Sequence, residues 1–87
     1  MRIVAHRKFD KQLAKLDSNI TKQFKKRFDL FLVDQFHPLL NNHPLHPPFA
    51  GSRSINITGD YRAIFKQARD DLIIFTDIGT HHNLFGI

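Results

Sequence analysis

Histidine, arginine, aspartate and aromatic side chains gather between Arg53 and Phe85 of this 87-residue chain. Within that stretch RSINITGDYRAIF predicts one β-hairpin, in which Ile55 and Ile57 alternate before a Gly59-Asp60 turn and a second strand starts at Tyr61. A third strand, LIIF, follows the polar turn at Arg69 to Asp71, since the run is too short for a helix and too apolar for a loop. It leads into GTHHNLFG. The pattern places Arg53, Asn56, Asp60, Tyr61, Arg62, His81 and Phe85 in or beside one small sheet. Several of these residue types suit a phosphodiester: histidine can move a proton near neutral pH, and arginine can oppose charge that builds on phosphorus. A charge-rich sheet edge beside a histidine-bearing segment is therefore the expected site.

The rest of the chain must position that sheet. Arg2 to Ala5 is a short β-branched run that predicts a strand laid against it. The period then changes: Phe9, Leu13 and Leu16 recur at helical spacing with Lys8, Lys11 and Lys15 mostly opposite, which predicts an amphipathic helix over Arg7 to Leu16. Asp17 or Ser18 can break it and cap the next helix. That second helix is expected from about Asn19 to Gln35, with Ile20, Phe24, Phe28, Phe31 and Leu32 as its buried stripe and Lys22, Lys25, Lys26 and Asp29 on its wet face. So short a link predicts an antiparallel helix hairpin on one face of the sheet. All four prolines follow in HPLLNNHPLHPPFAGSR, an extended crossover pinned by Leu39, Leu40, Leu45 and Phe49.

Composition sets outer bounds. The length fits one domain, 1–87, near the size at which a single core suffices without staples. The chain has no cysteine, which leaves no disulfide or thiolate metal site and permits folding in a reducing compartment. Its apolar runs are far shorter than a bilayer span, and MRIVAHRKF lacks the apolar segment of a signal peptide, so a soluble cytoplasmic protein is expected. The 13 Lys and Arg outnumber 8 acids, all of them Asp, for a formal charge of +5. Such a surface suits an anionic partner, nucleic acid or acidic protein. The histidines lack helical i, i+4 pairing and cysteine partners, so no metal site is expected.

The order strand, two helices, proline-bearing crossover and three-stranded meander ending in GTH-x-x-LFG resembles the RelE/ParE superfamily of toxin–antitoxin toxins. More narrowly NHPL, the following G-x-R, DYRAIF and IGTHHNLFG resemble the YafQ-type branch of RelE-like messenger-RNA endonucleases. The likeness spans essentially the whole chain and is specific in its second half. It implies an α+β RelE-like fold and a metal-independent ribonuclease that cuts messages in the ribosomal A site and so inhibits translation. In that chemistry the 2′-hydroxyl attacks the adjacent phosphorus, leaving a cyclic phosphate and a 5′-hydroxyl. A base, an acid and a cation are required. No cofactor is implied, and the partners implied are a cognate antitoxin, the ribosome and mRNA.

Carried over by position, His81 matches the family's C-terminal catalytic histidine and Phe85 an aromatic that helps place a base. His43 matches the crossover histidine of the branch, Asp60 the aspartate that opens the second meander strand, and Tyr61 stands where that branch usually has tryptophan. Asn56 replaces another family histidine, and Asp77 falls where a catalytic arginine is expected. Arg62 is the expected replacement cation, since other RelE branches carry a functional arginine in their x-Y-R strand motif, and Arg53 is the second candidate. The assigned roles are thus catalytic for His81, His43, Arg62 and Asp60 and substrate-binding for Arg53, Asn56, Tyr61 and Phe85.

Each assignment has a plainer alternative. His43 precedes Pro44 and can satisfy turn amides; Gly-Asp is ordinary turn chemistry for Asp60; Arg62 can form a cross-strand ion pair with Asp60 or Asp77. Arg62 shares a strand face with Ile64, and hairpin register decides whether Arg53 or Asn56 joins it. His82 is expected to face solvent, and His6, His37 and His46 to be structural or surface residues. Lys8, Lys11, Lys15, Lys22, Lys25 and Lys26 suit RNA-backbone contacts on the ribosome, or simply a solvated helix face. Two other functions keep the fold: a ParE-like gyrase inhibitor, and a catalytically inactive antitoxin-binding member of the family, which Asn56 and Asp77 favour.

Overall fold

The computed structural model describes residues 1–86. Strand β1 (Arg2–Ala5) leads into helix α1 (Arg7–Ala14), helix α2 (Ser18–Val33) and a 3-10 turn at Pro38–Leu40. Strands β2 (His43–Pro44), β3 (Arg53–Asn56), β4 (Tyr61–Arg69) and β5 (Leu72–Thr80) follow, then helix α3 (His81–Phe85). They form one five-stranded sheet in the order β1-β5-β4-β3-β2. The expected meander is β3, β4 and β5, and β1 pairs in parallel with β5, placing Ile3 beside Ile73 and Ala5 beside Phe75. The α+β architecture of the RelE-like fold is present, with α1 and α2 on one face. No helix among the described residues is long and apolar enough to cross a membrane.

Side chains start both long helices. His6 Nδ1 accepts the Lys8 amide at 3.1 Å, and Asp17 Oδ1 accepts the Asn19 amide at 2.8 Å. α1 stops at Ala14 rather than Leu16 because the Lys15 and Leu16 amides turn back to the Gln12 and Leu13 carbonyls in a tighter 3-10 turn. α2 stops at Val33 rather than Gln35, because Asp34 is extended and its carboxylate takes the Phe36 amide at 3.1 Å. Arg27 then ties the helix to the crossover, donating to the Leu39 carbonyl at 2.6 Å.

The core is aromatic. Phe75 on β5 meets Phe9 of α1 at 5.6 Å between ring centroids, Phe28 and Phe31 of α2 at 5.9 and 5.5 Å, and Phe65 of β4 at 5.4 Å. Phe9 and Phe24 close the contact between the helices at 5.5 Å. Leu32, expected in the buried stripe, is 57% exposed; Leu30 packs against the core in its place.

Two features of the sheet set up the other face. Phe65 pairs with Phe75 but Ile64 pairs with Asp77, so Thr76 is an extra residue in β5, a β-bulge. Beyond it Ala63 pairs with Ile78 and Arg62 with Gly79. Past the end of β1, the edge of β5 is covered by α1, where Gln12 Oε1 accepts the Ile78 amide at 2.9 Å. Short strand β2 and helix α3 are additions to the expected elements. Replacing Phe75 with Ala should destabilise the fold by about 3–5 kcal/mol in urea titration, whereas Phe75→Leu should cost clearly less because it keeps most of the buried volume.

Candidate active site

Register decides which side chains meet. Ser54 lies opposite His43 on β2 and Ile64 on β4, and Asn56 lies opposite Arg62. Residues opposed across a ladder share a face and alternate along a strand. His43, Ser54, Ile64, Asn56 and Arg62 therefore lie away from the helices, while Arg53, Ile55, Ala63 and Phe65 lie on the helix side. On the first face the crossover and α3 enclose a cleft of about 500 Å³ whose lining includes His43, His46, Phe49, Ser54, Arg62, His81 and Phe85. No lining residue is acidic among the described residues, so the cleft suits an anion.

Backbone carbonyls orient His43 and Arg62, and helix α3 carries His81. Asn41 takes a left-handed conformation at φ 47°, and its carbonyl lies 2.7 Å from His43 Nδ1. A carbonyl can only accept, so the proton sits on Nδ1 and neutral His43 carries its lone pair on Nε2. Arg62 Nη1 donates to the Thr58 and Tyr61 carbonyls at 3.0 and 3.1 Å. The rest of its guanidinium has no hydrogen-bond partner among the described residues, and the cross-strand ion pair weighed as its alternative does not form. His81 opens α3, whose cap Thr80 accepts the Asn83 amide at 3.0 Å. Its own amide donates to the Asp60 carbonyl at 2.9 Å, and its ring stands 4.8 Å from Phe85 one turn on. Phe85 in turn meets Phe49 edge-on at 5.8 Å. Leu84 sits over Gly79, where an added Cβ would already be in contact at 3.5 Å, and Gly86 closes α3 at φ +74°, a conformation costly for other residues.

Of the residues assigned from the sequence, His43, Arg62, His81 and Phe85 thus meet in one cleft. The structure does not bring the others into its lining. Arg53 lies on the helix side, where Nε donates to Asn42 Oδ1 at 2.7 Å and the guanidinium covers the Phe36 ring at 5.5 Å. Asp60 is an exposed turn residue that contributes its carbonyl to His81, and Tyr61 packs against the core. Asn56 neighbours Arg62 across the ladder, with Oδ1 buried and unpartnered among the described residues. Asp77 is bound by Lys8 Nζ at 2.8 Å and is absent from the lining. Lys11 on α1, Lys15 just after it, and Lys22, Lys25 and Lys26 on α2 are exposed.

Sequence reasoning gave Phe49 only as a residue pinning the crossover, left out Ser54 and put His46 among structural or surface residues, yet all three line the cleft. Ser54 Oγ is buried without a partner among the described residues, which typically costs about 1–3 kcal/mol. Alternation with buried Ile55 is the signal that could have placed Ser54 beside Asn56. His37 caps the 3-10 turn by accepting the Leu39 amide at 3.1 Å, as His6 caps α1. His82 is exposed. Among the described residues no group of three or more His, Cys, Asp or Glu side chains is placed to hold a metal ion.

Solved structures of similar shape share this frame. YafQ from Escherichia coli strain BL21(DE3) superposes with a TM-score of 0.82 at 24% identity, over 98% of each chain. The E. coli DinJ-YafQ toxin-antitoxin complex gives 0.79 at 24% identity, over 98% of this chain and 97% of that one. A YoeB/ParE toxin from Agrobacterium tumefaciens gives 0.74 at 16%, over 93% and 99%. At these identities the likeness is one of fold. No curated protein sequence matches significantly. Residues 1–86 match the family described as bacterial toxin of type II toxin-antitoxin system, YafQ, and the chain, carrying that fold from β1 to α3, belongs to this family of toxins.

Proposed function

We propose that the chain is an endoribonuclease that cuts messenger RNA on the ribosome in the cytoplasm. The observation that carries this reading is the meeting of His43, Arg62 and His81 in one cleft, with Nε2 of His43 left as the lone-pair nitrogen. His43 Nε2 takes the proton of the 2′-hydroxyl, and the 2′-oxygen attacks the adjacent phosphorus. Negative charge then grows on the non-bridging oxygens beside Arg62. Protonated His81 gives its proton to the departing 5′-oxygen, so the products are a 2′,3′-cyclic phosphate and a 5′-hydroxyl. This in-line reaction needs no metal. Phe85 and Phe49 offer aromatic surface on which a neighbouring base can stack. Asp77 does not weaken the reading, since Lys8 holds its carboxylate.

Two partners follow. The exposed lysines of α1 and α2 suit ribosomal RNA backbone, where each neutralised phosphate adds salt-dependent affinity. A cognate antitoxin is the expected protein partner, as DinJ is for YafQ in the E. coli complex. Leu32, Val33, Phe36 and Leu39 are each more than half exposed around the end of α2, an apolar surface such a partner can cover. The double substitution Val33→Asp, Phe36→Asp should weaken antitoxin binding at least about tenfold in calorimetry. RNA cleavage should be unaffected, because both residues lie outside the cleft.

Primer extension on messages from cells briefly expressing the protein tests the chemistry. Cuts within translated codons are expected, and His43→Ala, Arg62→Ala and His81→Ala should each reduce cleavage by about a hundredfold or more. Growth arrest with intact messages would favour gyrase inhibition instead, and unimpaired growth an inactive antitoxin-binding protein.

A further inference from the structure

The floor of the cleft holds a hydroxyl with nothing to bind. Ser54 stands in the middle of β3 at 0% exposure, and its Oγ has no hydrogen-bond partner among the described residues. Buried polar groups in native structures are nearly always satisfied, so an orphan at a cleft points to a missing partner. Alanine would fill the same space with no such cost. Nor is the position remote from the chemistry. Ser54 is the rung between His43 on one side and Ile64 on the other, on the face that carries Arg62 two rungs further along. It lines the cleft together with His43, Arg62 and His81.

What surrounds this hydroxyl identifies the missing partner. The cleft offers it three imidazoles, of His43, His46 and His81, and one guanidinium, with no carboxylate among the described lining residues. A serine hydroxyl has one proton to donate, and the ligand these neighbours favour is a negatively charged acceptor. We propose that Ser54 Oγ donates a hydrogen bond to a non-bridging oxygen of the phosphodiester held between His43, Arg62 and His81. That the phosphodiester is RNA rests on the ribonuclease reading above; the anion contact does not. Because Oγ is closed to bulk water, the contact requires the ligand to part the side chains over the floor. The bond then forms in a site from which water is excluded.

Nuclear magnetic resonance titration of the isotope-labelled protein with inorganic phosphate, and with a trinucleotide lacking 2′-hydroxyls so that it cannot be cut, tests this directly. Wild type should show shifts at the Ser54, His43 and His81 amides. Ser54→Ala should bind both probes about five- to tenfold more weakly, the loss of one hydrogen bond to a charged acceptor. Ser54→Cys, similar in size but a poor donor, should resemble the alanine variant. The melting temperature of Ser54→Ala should equal or exceed that of wild type, which separates a lost ligand contact from a damaged fold. Unchanged affinity in Ser54→Ala, or no binding at these amides in wild type, overturns the proposal. Cleavage of ribosome-bound message by wild type is scored separately. Phosphate binding that depends on Ser54 without any cleavage would leave the proposal standing and sink the ribonuclease reading. Cleavage with Ser54-independent binding would do the reverse.

Discussion

Phe75 touches α1, α2 and β4 at once, through rings 5.4 to 5.9 Å away, and the same residue is the last partner of β1 in the sheet. A chain this small has little core to spare, and concentrating it around one ring makes both helices and three strands depend on a single locus. Edge-on and tilted ring contacts also have preferred geometries, so the cluster specifies orientation as well as contributing burial. The opposite face of the sheet is thereby relieved of holding the helices. It can carry polar residues that would be costly inside such a core.

The bulge at Thr76 separates those two tasks. Without it, the pairing of Phe65 with Phe75 would put Arg62 opposite Ile78. With it, Ile78 stays opposite Ala63 in the core while Arg62 faces Gly79, over which Leu84 closes α3. One inserted residue thus moves β5 by half a pleat at the point where the strand passes from core to cleft. The same step moves Asp77 from a position opposite Ala63 to one opposite Ile64, where Lys8 binds its carboxylate.

Much of this was legible before the fold. A β-branched run located β1, periodicity located both long helices because each has an apolar stripe wide enough to read, and turn chemistry located the hairpin. The motif positions singled out His43, Arg62, His81 and Phe85, which line one cleft. Period alone could not tell Arg53 from Arg62, since their placement depends on how strands of unlike length are registered. β2 stayed hidden because it is only two residues long and one is proline, and α3 because a single turn leaves no period to detect. Leu32 was misplaced because α2 meets a narrow aromatic seam rather than a broad sheet face. Ser54 carries no chemical signature of its own; only burial without a partner marks it.

The parallel pairing of β1 with β5 joins Arg2–Ala5 to residues that the ribosome adds much later. Until β5 has been synthesised, the first strand has no neighbour and Phe9 lacks the ring it packs on. Closing so long a loop carries an entropic cost that only the finished meander can offset. His43 and His81 likewise flank the strands that bring them together. The cleft is consequently not assembled while most of the chain is still being made.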